Sequence, residues 1–220
     1  MTKIYSLWTL LSAAVLFGAG LGTSQGAELT GRVVAPSGSG PAVVFIQGTT
    51  GGTVPDGDTV VTHGSGGTLE PAVAVGFVGN DFVFKNADNQ LHATHLSMHL
   101  AYQEEVSSRP IKNGATVYSI ALPIQGMEVR RPIRSYHAFT DQTGFIDVRC
   151  NPHPGESSNI LVFDHPYAAV TTDDGTFVIS DVPVGSHEVW VWHGGTASRW
   201  GSVDVGDGAA TQITVEVAEP

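Results

Sequence analysis

The loop Arg149–Asn159 reads RCNPHPGESSN and holds the only cysteine in 220 residues. Cys150 and His153 stand there with two residues between them, and three chemistries suit the pair: a buried inert thiol, a nucleophile activated by its histidine, or a metal ligand. A buried thiol is the plainest, since free cysteine is among the most buried residue types. A nucleophile would need an orienting Asn or Asp and an oxyanion-hole signature, and neither accompanies the loop. A thiolate and an imidazole on one tight turn can instead grip an ion from the same side. A histidine from a neighbouring strand end would complete a trigonal His₂Cys plane, the arrangement of mononuclear copper sites. His92, which closes the stretch FVFKNADNQLH, is that third candidate. One cysteine and two histidines with no fourth strong ligand suit copper better than structural zinc.

The start of the chain bears on why one unpaired cysteine is tolerated. MTKIYSLWTLLSAAVLFGAGLGTSQGAE has one lysine, an apolar run and then small residues, the pattern of a secretory signal peptide cut near Gly26 or Ala27. The run is too short and glycine-rich for a membrane span, and no other segment is long and apolar enough. The expectation is a periplasmic or secreted protein without a membrane span once the signal, residues 1–27, is removed. In such a compartment cysteines occur in pairs, and a lone one is best explained by a metal that holds it as thiolate. The net charge is −11, and one unit more negative once Lys3 leaves with the signal. That surface repels phosphate backbones, which excludes nucleic acid and favours a partner with a basic docking face.

The elements that must position these residues are strands. LTGRVVA, AVVFIQG, AVAVGFV, DFVFKN, GFIDVRC, NILVFD, TFVISDV, HEVWVWH and TQITVEV are short, rich in β-branched and aromatic residues, and bounded by turn formers. The 27 glycines and 12 prolines fit many turns. Only HLSMHLAYQEEVSS reads, weakly, as helix, and 48–67 reads as a Gly/Ser/Thr-rich loop or linker. The expected fold class is all-β: a sandwich or pair of sandwiches.

FVFKNADNQLH followed by GFIDVRCNPHP resembles the cupredoxin family of small blue copper proteins, most closely the plastocyanin-like proteins called methylamine utilization proteins. DHPYAAVTTDDGTF (164–177) and VPVGSHEVWVWH (182–193) continue the resemblance, which spans roughly 64–195. It implies a Greek-key β-sandwich, one type 1-like copper ion held by His92, Cys150 and His153, and one-electron transfer with a redox partner such as a cytochrome. The chain departs from that family at one place. Glu156 stands where an axial methionine is expected. A carboxylate is a hard ligand that favours Cu(II), which would lower the reduction potential. Otherwise Glu156 faces solvent, and the axial place is empty, taken by a backbone oxygen, or filled by Met98 or Met127. His95, Met98 and His99 lie beside His92 and would form a second, softer site if that stretch were helical; a polar, partly solvated connection is the simpler reading. His63 and His137 fall in loops without a spacing argument, and the resemblance gives His165 and His193 structural roles.

A second resemblance concerns the ends of the chain. LTGRVVAPSGSGPAVVFIQG is similar to the opening of the carboxypeptidase regulatory-like (transthyretin-like) β-sandwich, and VTTDDGTFVISDVPVGSHEVWVWHGG is similar to its later strands. The small sandwich is then discontinuous: strands from 28–63, a cupredoxin-like copper domain over 64–163, and the remaining strands over 164–220. Three functions stay open on this reading, and none is an enzyme. They are an electron carrier, a periplasmic copper-binding or delivery protein, and a β-sandwich binding module that has lost its copper.

Overall fold

A computed structural model describes residues 26–36, 40–100, 114–135 and 144–217. Residues 1–25 of the expected signal peptide and His137 lie outside the described residues. Every regular element within them is a strand, sixteen in all: β1 Ala27–Val34, β2 Val43–Gln47, β3 Thr59–Gly64, β4 Thr68–Glu70, β5 Val73–Phe77, β6 Asp81–Asn86, β7 His92–Leu100, β8 Ala115–Leu122, β9 Glu128–Pro132, β10 Gly144–Cys150, β11 Ser157–Phe163, β12 Ala168–Val170, β13 Thr176–Val182, β14 Gly185–His193, β15 Thr196–Val205 and β16 Thr211–Glu216. The expected all-β class holds. No helix among the described residues is long and apolar enough to cross a membrane.

The strands form four sheets, ordered β13-β1-β16, β12-β2-β14-β15, β5-β11-β10-β7-β8 and β4-β3-β6-β9. β1 pairs with β13 and β16, and β2 with β12 and β14, so the first two strands join the last five. Everything from β3 to β11 pairs within the other two sheets.

Strand periodicity explains how four sheets stack. Val44 and Ile46 of β2 face one apolar core with Leu29, Ile179, Val189 and Val215, while Val43 and Phe45 face another. In β11, Leu161 and Phe163 join Val43 and Phe45, whereas Ile160 and Val162 turn to a third core with Phe82, Phe84, Leu96 and Ile146. Successive side chains of a strand point to opposite faces, so a strand apolar at every position is buried on both. The uninterrupted runs VVFI and ILVF are therefore the two central layers. Phe45 against Phe163 (centroids 5.2 Å apart) and Phe145 against Trp192 (5.4 Å) join the two sandwiches through these layers.

Three expectations need correction. The 48–67 stretch is not all linker: Thr59–Gly64 is β3, paired in parallel with β6. Its alternation of buried and accessible residues fits a half-buried strand, but the glycines around it hid that pattern. The boundary placed at residue 63 thus falls inside a strand of the β4-β3-β6-β9 sheet. The helix proposed at HLSMHLAYQEEVSS is also not formed where it is described, because His92–Leu100 pairs with both β8 and β10. Residues 101–108 of that stretch lie outside the described residues.

Candidate metal centre

Cys150 ends β10, and His92 begins β7, the strand beside it; Cys150 lies opposite Thr94 in the ladder. The loop from Asn151 to Glu156 folds back over this corner. The His153 N–H donates to the Cys150 carbonyl (3.2 Å), the Glu156 N–H to the His153 carbonyl (2.9 Å), and the Asn151 N–H to the Ala93 carbonyl (2.9 Å). Two consecutive turns thus bring Cys150, His153 and Glu156 to one side of the loop.

The segment leading to His92 is held by its own side chains. Asn86 Nδ2 donates to the carbonyls of Gln90 (2.8 Å) and Leu122 (2.9 Å), and Asn86 Oδ1 accepts the Asp88 N–H (3.0 Å). Asp88 Oδ1 accepts the Gln90 N–H (2.9 Å) and lies 2.9 Å from His92 Nε2. These bonds, the Gln90 N–H first and His92 second, hold the Asp88 carboxyl below the usual carboxylate range. An ionised Asp88 can only accept, so His92 carries its proton on Nε2 and turns the lone pair of Nδ1 inward.

A sulfur, two ring nitrogens and a carboxylate meet at that point. Cys150 Sγ is 3.5 Å from His92 Nδ1 and 3.6 Å from His153 Nδ1, and the two imidazole nitrogens are 3.2 Å apart. Glu156 Oε2 is 3.3 Å from His92 Nδ1, and Glu156 Oε1 is 3.2 Å from His153 Nδ1. A tetrahedral ion with bonds of ~2.0 to ~2.3 Å has ligand–ligand edges of ~3.3–3.7 Å. The three distances among Cys150 Sγ, His92 Nδ1 and His153 Nδ1 lie on or within about 0.1 Å of that range, right for ligands around a common centre, and the Glu156 carboxylate flanks them with one oxygen toward each histidine. A cation placed there would be met by sulfur, ring nitrogen and carboxylate oxygen together. The residues fit a metal.

Burial and charge agree with that reading. Cys150, His92 and Glu156 are buried, Glu156 at 2% exposure, while His153 keeps 27% and reaches the surface. Burial pushes the Cys150 thiol up, against the pull of the Ala93 and His153 backbone N–H groups toward the thiolate. A bound cation reverses this balance, because a coordinating thiol is deprotonated outright.

The alternatives left open for Glu156 are thereby narrowed: it faces inward, not to solvent. It also overturns the premise that no fourth strong donor exists, so the donor set alone suits zinc as well as copper. Met98 is six residues along β7 from His92, about 20 Å at strand rise, and packs in the sheet. Met127 packs against the apolar core between its two sheets. His95 and His99 are strand residues. His95 is 3.0 Å from Ser119 Oγ, and His99 stacks on Phe145, so the second site that a helix would have allowed is not formed.

His63 was missed. It lies on β3, fully buried, 2.8 Å from Glu156 Oε2 through Nδ1 and 2.7 Å from Thr94 Oγ1 through Nε2. His63, His92, Cys150 and Glu156 each offer a ligand atom within 4.8 Å of the others. At 2.8 Å the His63–Glu156 contact is shorter than a tetrahedral edge and fits a charge-assisted hydrogen bond. Burial pushes the His63 pKa down against the pull of Glu156. The alternating β3 pattern was the available signal, since it placed His63 on the buried face.

No family model matches the chain, and no curated protein matches it. Among solved structures the chain is similar to amicyanin variants. One, a reduced Cu(I) form at pH 4, is 17% identical, with 50% of this chain and 86% of that one covered and a TM-score of 0.34. An oxidized amicyanin mutant is 18% identical over 62% and 99% of the two chains, also at 0.34.

Proposed function

We propose that this chain is an exported copper protein that works in one-electron transfer, with one ion held by His92, Cys150, His153 and Glu156. The observation that carries the reading is the convergence of a thiol and two imidazole nitrogens at the spacing of metal ligands, with a buried carboxylate beside them, on a β corner. Bound copper would supply reversible exchange of a single electron. The protein's own part is to keep the donors still. β7 and β10 are neighbours in a five-stranded sheet, Asp88 fixes the His92 ring, and the two loop turns fix Cys150, His153 and Glu156. A site that moves little between oxidation states has little reorganisation to overcome.

His153 is the only one of the four that reaches the surface, so a redox partner would approach there. With 21 acidic against 10 basic side chains, the charge of the chain favours a partner with a basic face, such as a cytochrome. Copper over zinc is supported by the resemblance of both loop motifs to the blue copper family and by the higher affinity of N/S sites for Cu(II). The test is to load metal-free protein with Cu(II) and with Zn(II) in competition, then cycle the copper form electrochemically. One copper per chain with reversible, fast cycling supports electron transfer. Tight binding without electron exchange would favour copper delivery, and zinc displacing copper would end the copper reading.

A further inference from the structure

We propose that His63 is the positioning residue of the fourth ligand: its Nδ1–H holds Oε2 of Glu156, so the carboxylate presents Oε1 to the ion. This rests on the copper reading above and adds a residue that is not itself a ligand. The 2.8 Å contact from His63 Nδ1 to Glu156 Oε2 is a hydrogen bond in length, while His92 Nδ1 is farther from that Oε2, at 3.3 Å, and Oε1 is the oxygen turned to His153 Nδ1, at 3.2 Å. The second ring nitrogen settles which proton makes the bond. Thr94 Oγ1 lies 2.7 Å from His63 Nε2, and a hydroxyl can donate there, leaving the ring proton on Nδ1 for the acceptor-only carboxylate.

Thr94, His63 and Glu156 are exposed by 1%, 0% and 2%, so no water can replace a lost member, and a broken link leaves a buried polar group unpaired. The three come from β7, β3 and the loop before β11. The relay therefore crosses the core. His63 belongs to the sheet opposite the one that carries His92 and Cys150, and it ties that sheet to the Glu156 carboxylate.

The experiment compares wild type with His63→Phe, His63→Gln, Thr94→Val, Glu156→Ala and the His63→Phe/Glu156→Ala double variant. Cu(II) affinity is read by chelator competition, the copper hyperfine pattern by electron paramagnetic resonance, and the ring tautomer by nitrogen NMR on metal-free wild type. The expected tautomer is Nδ1–H. His63→Phe should weaken Cu(II) binding about 10- to 100-fold and alter the hyperfine pattern. His63→Gln, which keeps a donor, should restore part of the affinity, and Thr94→Val should cause a smaller loss in the same direction. In the Glu156→Ala background, His63→Phe should change neither reading further. If His63→Phe does not fold, His63→Gln and Thr94→Val decide the matter. The proposal is overturned by an Nε2–H tautomer, by unchanged affinity and hyperfine pattern in the variants that fold, or by an equal loss with and without Glu156. A wild-type protein that takes up no copper overturns the copper reading and this one together, whereas copper uptake with indifferent variants overturns only the role of His63.

Discussion

At the scale of single residues, the centre depends on what each donor is and what holds it. Glu156 is the residue that sets this site apart, because a buried carboxylate beside the cysteine would add a hard donor to a bound ion and would favour Cu(II). Glu156→Met, which exchanges a hard donor for a soft one, should raise the reduction potential and deepen the visible colour, as cyclic voltammetry and absorption would report. An unchanged potential and spectrum would take Glu156 out of the site. Asp88 acts one layer further out. Its Oδ1 fixes the His92 ring, and Asp88→Ala should weaken copper binding about 10- to 100-fold without changing the number of ions bound.

At the scale of elements, the loops carry the chemistry and the strands carry the loops. The turn between β12 and β13, strands of different sheets, shows how local chemistry fixes a tight reversal of the chain. Gly175 sits at φ +84°, and a Cβ there would stand 2.4 Å from the Val33 carbonyl oxygen of β1. Thr172 and Thr176 donate to the Asp174 carboxylate and hold its pKa down to about 2. Gly175→Ala combines backbone strain with that clash and should destabilise the fold by roughly 1–3 kcal/mol, seen as a lower denaturant midpoint at unchanged slope. Much of this level was legible beforehand. GFIDVRC is β10 residue for residue, and TDDGTF is a tight turn as Asp-Gly chemistry requires. What failed had a physical reason in each case. HATHLSMH placed its histidines at helical spacing, yet pairing on both sides with β8 and β10 overrode that local signal. His63 could not be assigned because its role depends on a parallel pairing with β6 and a contact to Glu156, which no local spacing encodes.

At the scale of the whole molecule, the continuous apolar runs of β2 and β11 mark a third core that packs two sandwiches back to back. His165 lies among Phe163 and Tyr167, buried, with its Nδ1 accepting the Tyr167 N–H (3.2 Å). Burial pushes its pKa down, so the folded protein holds this ring neutral while the unfolded chain takes up a proton near pH 6.5. The stability that follows is fully present above about pH 6.5 and is lost as the pH falls toward the folded value, by up to ~1.4 kcal/mol per pH unit. His165→Asn, whose side-chain oxygen can accept the same N–H without titrating, should flatten the pH dependence of unfolding of the metal-free protein in that window. Equal slopes for the two proteins would mean that His165 is not held neutral.

The convergence of His92, Cys150, His153 and Glu156 on one ion is tested most directly by the visible absorption spectrum of the wild-type protein carrying one equivalent of Cu(II), alongside Cys150→Ser. A thiolate bonded to Cu(II) gives a strong visible charge-transfer band, so the wild type should be coloured and Cys150→Ser colourless. A wild-type protein that binds one copper yet shows no thiolate band, or a Cys150→Ser variant that keeps it, would contradict the account.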